Sequence, residues 1–393
     1  MGKFKGLIEI LLCICLILSC NSVYYAYIPM LIFIFTSLFL ILLIILEKPS
    51  IRKQNKLIIW FPIIFFYLLI PLFNIKESHA SMEKQYFSLF CVILPLFISY
   101  FYVAKRKVRL FYIFSNLITI ISAYSSVLWL LCSYLEILPM NHRFFVYWEG
   151  GLLCKSFYHI YFETQNNIFL GVPIVRNCSI FTEAPMFAFC LVSALGIYLF
   201  IEKKKKTIKL LSLLIGIITT TSATAYIITS LMFIMQSKYT FRNFLLKSLL
   251  LILIIVSSIE VIFTVLLDKI DNNVISYLTR IDKLKNGYLS FIDNPILGEG
   301  FYSHVENNSN SITLLLSEFG LYLSLPILYC IFVKPIILYL KGERSVSLMY
   351  AFFFLSFCFT IIAYSPLAFM YISFMFIVRI KSYGKGCLYN CYV

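Results

Sequence analysis

The sequence predicts an all-α polytopic integral membrane protein: a single membrane domain over residues 1–393, about twelve transmembrane helices, and two large outer-face loops at 138–184 and 268–311. Three observations predict it. Of 393 residues, 61% are hydrophobic and only 13% charged, with a mean hydropathy of +0.91, which leaves too little polar surface to coat a water-soluble core. Apolar runs long enough to enter a bilayer recur along the whole chain. The basic residues gather in short clusters between those runs, so the net charge of +15 records orientation in a membrane and does not point to nucleic acid.

The first run, Leu7 to Cys20, follows Lys3 and Lys5 as a signal peptide would, but no small-residue cleavage site precedes Tyr24-Tyr25, so it reads as a retained helix. Further candidate spans are 27–46, 57–73, 86–104, 110–137, 185–201, 207–220, 223–237, 246–267, 312–333, 346–363 and 366–380. With the amino terminus inside, alternate loops place 24 of the 33 lysines and arginines on the inner side, the run Lys203 to Lys206 among them. Nine remain outside, spread over longer loops, and both termini fall in the cytoplasm. Residues 207–237 read as two short helices meeting at Thr219-Thr220-Thr221-Ser222-Ala223-Thr224, because one long helix would carry the cluster at 238–247 to the outside. A polar turn at membrane depth must be covered by protein or line a wet cavity.

The loop 138–184 is rich in rings and amides, among them Phe144, Phe145, Tyr147, Trp148, Tyr158 and Gln165. Rings beside amides suit a carbohydrate, and they equally suit an interfacial aromatic belt with no ligand. Most of the twelve cysteines fall in apolar runs as small hydrophobes, whereas Cys154 and Cys178 share this loop, and their spacing leaves pairing open. In the loop 268–311, Val274, Leu278, Ile281, Leu284 and Tyr288 recur at helical period, predicting an interfacial helix within 272–292 with its apolar stripe down and Arg280 and Lys283 projecting together. Asn294-Pro295-Ile296-Leu297-Gly298-Glu299-Gly300 ends it and turns the chain back. The span after Asn310 holds Glu318 and Gly320, and a charge there costs about 2.5 to 3.5 kcal/mol on insertion scales.

Arg176 and Glu183 flank the start of the span 185–201, where unpartnered charges are costly. Arg176 and Arg280, with Lys283 assisting, suit a lipid-linked diphosphate, because guanidinium forks bind phosphate oxygens bidentately. Glu183 or His304 is the candidate general base for an incoming sugar hydroxyl. The outer loops hold no Asp-x-Asp pair or histidine cluster, so the chemistry expected is metal-independent and without a cofactor. Each residue also has a bland reading: Arg176 snorkelling to the interface, Glu183 complementing a helix dipole, His304 solvated in a polar loop.

The order Arg176, Phe181-Thr182-Glu183-Ala184-Pro185, Thr221-Ser222, Arg280, Asn294 to Gly300, Asn310, then Glu318-Phe319-Gly320-Leu321 resembles the O-antigen polymerase and ligase superfamily. The resemblance covers roughly residues 170 to 335. It implies a bacterial inner-membrane glycosyltransferase acting on polyprenyl-diphosphate-linked oligosaccharides at the outer face, with the family's diphosphate arginines carried onto Arg176 and Arg280 and its glutamate onto Glu183. Ala184 is inserted between that glutamate and Pro185. Where ligases of the family show Ser-Arg and His-Asn, this chain has Ser222-Ala223 and Ser309-Asn310, which tilts the expectation to a Wzy-type repeat-unit polymerase for capsule, O-antigen or exopolysaccharide. Asn310 is carried over as a substrate-binding residue. The implied partners are the lipid-linked oligosaccharide, membrane lipid, a flippase and a chain-length regulator, and no nucleic acid. The alternatives are an O-antigen ligase and a lipid-linked oligosaccharide flippase.

Overall fold

The computed structural model describes residues 2–47, 109–146, 152–169, 172–236, 274–300, 308, 310–363 and 365–377. The predicted spans 57–73, 86–104 and 246–267 lie outside the described residues, as does His304. The described chain is mostly helical. Its helices are α1 (Gly2–Leu18), the short α2 (Val23–Tyr27), α3 (Pro29–Glu47), α4 (Arg109–Leu128), α5 (Ala184–Phe200), α6 (Thr207–Thr219) and α7 (Ala223–Gln236). They continue with α8 (Val274–Asp293), α9 (Ser311–Leu328), α10 (Lys334–Leu340), α11 (Arg344–Phe359) and α12 (Pro366–Ile377). Wide π turns at Trp129–Tyr134 and Tyr329–Val333 prolong α4 and α9. The stretches Arg109–Tyr134 and Ser311–Leu340 are long and apolar enough to cross a membrane, and six shorter apolar helices accompany them among the described residues.

Helix α5 is the hub. Every residue in it except Pro185 is buried, so it is apolar all round in the way a central core helix must be. It packs against α4, α6, α7 and α11. Small residues let these helices approach closely: a Cβ added at Gly216 of α6 would lie 2.1 Å from Ser122 Oγ of α4, and that hydroxyl donates to Ser212 O at 2.7 Å. The opposite face of α6 exposes Ile208, Leu211, Ile215 and Ile218, an apolar stripe of helical period that suits a lipid surrounding.

The loop 138–184 departs from the all-α expectation. Its strands β1 (His142–Val146), β2 (Leu152–Phe157) and β3 (Tyr161–Glu163) form an antiparallel sheet, and β4 (Asn166–Phe169) pairs with β5 (Val172–Val175) in a hairpin. Strands of three to six residues leave no long apolar run, which is why a search for spans passes over them. Between β2 and β3, Ile160 N donates to Phe157 O at 3.0 Å while Tyr158 and His159 take φ of 46° and 60°. The register pairs Phe157 with Tyr161, so the hairpin has a three-residue loop, Tyr158-His159-Ile160, with positive φ at its first two residues. The sheet separates the rings: Tyr161 and Phe162 are fully buried, while Phe145 and Tyr158 face out.

The loop is pinned to the bundle on several sides. Val23 N donates to Ile180 O and Thr182 N to Asn21 O, both at 2.9 Å, tying it to the turn between α1 and α2. From the π turn after α4, Trp129 Nε1 donates to Val175 O at 2.7 Å and Ser133 Oγ to Glu163 Oε1 at 2.6 Å. Cys154 and Cys178 are buried free thiols, and burial pushes the Cys154 thiol up to about 11.

Candidate functional site

The turn Thr219–Ser222 between α6 and α7 is buried, so the terminal carbonyls of α6 do not reach solvent there. The backbone groups there need protein donors. The segment leaving β5 supplies them. Asn177 N donates to Thr219 O at 3.0 Å, and Arg176 Nε donates to Thr220 O at 3.0 Å. Arg176 Nη2 reaches Thr221 O at 3.4 Å, and Tyr226 Oη from α7 donates to Ile218 O at 2.7 Å. Four successive carbonyls at the negative end of α6 are thereby met, one residue after another, and a guanidinium is the charge such an end favours.

Arg176 also belongs to the start of the hub helix. Gln165 Oε1 accepts from Arg176 Nη1 at 3.4 Å and from Ala184 N at 3.1 Å, so one amide oxygen joins the arginine to the first amide of α5. Glu183 is the N-cap of α5, half-buried, with extended backbone and no side-chain capping hydrogen bond. Cys178 lies between the two charges. Burial raises its thiol, Thr164 and the Arg176 charge lower it, and Glu183 raises it. The structure therefore brings Gln165, Arg176, Cys178 and Glu183 into one neighbourhood.

A second constellation joins two motifs that lie about twenty residues apart in sequence. Helix α9 breaks at Gly320, where φ is 56° and ψ is −158°. In an unbroken helix Leu321 N and Tyr322 N would donate to Ser317 O and Glu318 O. Here they donate to Pro295 O at 2.8 Å and Ile296 O at 2.9 Å, and the two abandoned carbonyls accept from Glu299 N at 2.9 Å and Gly300 N at 3.0 Å. The segment after α8 thus exchanges partners with the break. Contact is too close for any side chain: a Cβ on Gly298 would sit 2.4 Å from the Glu318 carbonyl carbon, and one on Gly320 2.5 Å from that of Ile296. Glu318 is fully buried at this crossing.

The remaining predicted residues are placed as follows. Helix α8 forms as the period predicted; the face it turns to the protein is the small one, with Gly287 and Ser290 buried, while Ile281, Leu284 and Tyr288 of the apolar stripe are exposed. Its packing partner is α9. Lys283 is half-buried in α8, and Arg280 lies three residues before it in the same helix, its side chain outside the described residues. Asn310 caps α9: its Oδ1 accepts from Ile312 N at 3.0 Å and Thr313 N at 2.9 Å, so that oxygen serves the helix, not the substrate contact expected of it. Sequence reasoning passed over Gln165 as a partner of Arg176, and Asn177 and Tyr226 as further donors to the turn. The one signal available was that a buried polar turn must find donors, without indicating which.

The sequence matches no protein-family model, and no curated protein or solved structure matches it.

Proposed function

We propose that the protein is a polysaccharide repeat-unit polymerase, transferring glycan from a polyprenyl-diphosphate donor to a lipid-linked repeat unit at the outer face of a bacterial inner membrane. The observation that carries this reading is the setting of Arg176. Its guanidinium sits where two half-length apolar helices turn, beside a half-buried glutamate at the head of the hub helix. Two of its contacts, to Gln165 Oε1 and Thr221 O, are 3.4 Å long. Phosphate oxygens bind guanidinium at about 2.7 to 2.9 Å, so a diphosphate would compete for these two longer contacts while the 3.0 Å bond to Thr220 O keeps the arginine in place.

In this mechanism Arg176 holds the donor diphosphate and stabilises it as it leaves, with Arg280 and Lys283 of α8 as further cations. Glu183 takes the proton of the attacking hydroxyl or orients that hydroxyl, and His304 is the other candidate base. No cofactor or metal is assigned. A ligase would share the donor site and differ in the acceptor.

The test is the lipid-linked intermediate profile of a deletion strain. Single lipid-linked repeat units should accumulate on the outer side, relieved by the wild-type gene but not by Arg176→Ala or Arg280→Ala. Full-length chains stranded on the carrier lipid would select the ligase, and units trapped on the cytoplasmic side would select a flippase.

A further inference from the structure

One face of the β1–β2–β3 sheet is covered by Ser133 at its β3 edge, where Tyr161 is buried, and opens towards β1, with Phe157 half-buried and Arg143 and Lys155 exposed. In antiparallel register, Arg143 stands directly opposite Lys155, and both side chains are exposed. Directly opposed residues have Cβ atoms about 5 Å apart, and like charges there are destabilising. Among the described residues, neither makes an ion pair with a carboxylate. Glu163 is next in line across β3, directly opposite Lys155, and its Oε1 accepts from Ser133 Oγ at 2.6 Å, so the row reads cation, cation, anion. Two cations thus share one row with a single carboxylate, which leaves a net positive charge on the Arg143 side.

Rings border this pair on both sides. Phe145 is two residues beyond Arg143 on β1 and Phe157 two residues beyond Lys155 on β2, so each shares the face of its cation at a spacing of about 7 Å. Because the strands run in opposite directions, the rings lie at opposite ends of the cation pair. Phe145 is 43% exposed, and at the adjoining turn Tyr158 is 59% exposed, its ring meeting the edges of Phe157 and His142.

We propose that this face binds an acidic glycan: Arg143 and Lys155 take a sugar carboxylate, and Phe145 and Phe157 stack on the neighbouring pyranose rings. A carboxylate completes the opposed cations, the guanidinium bidentately, and the flat rings supply the apolar contact that a bare ion does not need. The inference rests on the polymerase reading for its biological meaning, which is that the repeat unit contains a uronic acid. The binding itself is independent of that reading.

Full-length protein in phosphatidylcholine nanodiscs is titrated at low salt with a uronic-acid oligosaccharide and with a neutral N-acetylglucosamine oligosaccharide of matched length, followed by calorimetry. The acidic glycan should bind at least about tenfold more tightly, and the R143Q/K155Q double variant should lose that preference while melting as the wild type does. Phe145→Ala should weaken both glycans alike. Equal affinity for the two glycans, or an acidic preference kept by the double variant, overturns the proposal. So does binding of phosphatidylglycerol discs in place of the glycan, which would assign the cations to a lipid headgroup. A deletion strain that still polymerises would remove the polymerase reading and leave the glycan-binding result standing, so the two failures are distinct.

Discussion

Two apolar helical stretches are interrupted in this protein, and each interruption is closed differently. The turn after α6 is closed by donors reaching in from elsewhere, two of them the side chains of Arg176 and Tyr226. The break in α9 is closed by backbone alone, four bonds exchanged with residues 295–300 across two glycines. A side-chain clasp can change partners when a better ligand arrives, because a long contact is given up for a short one. A backbone exchange has no rotamer to turn and nowhere for an added atom to go. The first place can therefore exchange a partner, whereas the second is fixed framework.

The sharpest way to break the comparison is at Gly320. A valine there would need a positive-φ backbone that is essentially glycine's alone, at about 1 to 3 kcal/mol, and would drive a Cβ to 2.5 Å from the Ile296 carbonyl carbon. Relief requires the segments to part and the four exchanged bonds to open. Gly320→Val should therefore yield no monodisperse protein on gel filtration of detergent extracts, and Gly298→Val should behave alike. Gly342→Ala is the internal control, since its φ is 87° but nothing lies within 4 Å of the added Cβ, and it should extract normally with a small loss of melting temperature. Wild-type recovery of Gly320→Val would show that the exchange is not rigid.

Arg176 should give a smaller effect on folding and a larger one on ligand response. Arg176→Ala strips the Thr220 and Thr221 carbonyls of their donor, at about 1 to 3 kcal/mol per buried group. The variant should fold with a lowered melting temperature. Adding a short-chain polyprenyl diphosphate at a hundredfold excess over its Kd should stabilise the wild type by about 2.7 kcal/mol and leave Arg176→Ala at its own baseline. A ligand shift of equal size in the variant would make the arginine a structural clasp alone.

The legibility of the sequence follows the same division. Helix boundaries at α5, α6, α7 and α11 were readable because apolar runs, Pro185 and the polar turn at 219–224 mark them locally. The need of that turn for protein cover was readable from its backbone chemistry, yet the donors Arg176 and Asn177 come from more than forty residues upstream, and no local pattern connects them. The pairing of residues 295–300 with 317–322 was hidden for the same reason, although both glycine motifs stood out singly. The sheet in the loop 138–184 was missed because its strands are short and its rings read equally well as a belt or a sugar platform. On α8 the period was readable, whereas the face that packs on the protein was not, since Gly287 and Ser290 carry no hydrophobic signal.

The smallest expected effect is at Asn310, where the comparison can be sharpened without disturbing either closure. Its Oδ1 accepts from two amides at the start of α9, so Asn310→Ala should cost about 1 kcal/mol, the usual worth of an N-cap. Asn310→Asp keeps both acceptors and adds a negative charge at a helix N-terminus, so it should restore the wild-type melting temperature or exceed it. If Asn310 serves only the helix, polymer length in cells should follow the melting temperature across both variants. An Asp variant that melts like the wild type but makes no polymer would place the amide nitrogen, which the cap does not use, on the substrate.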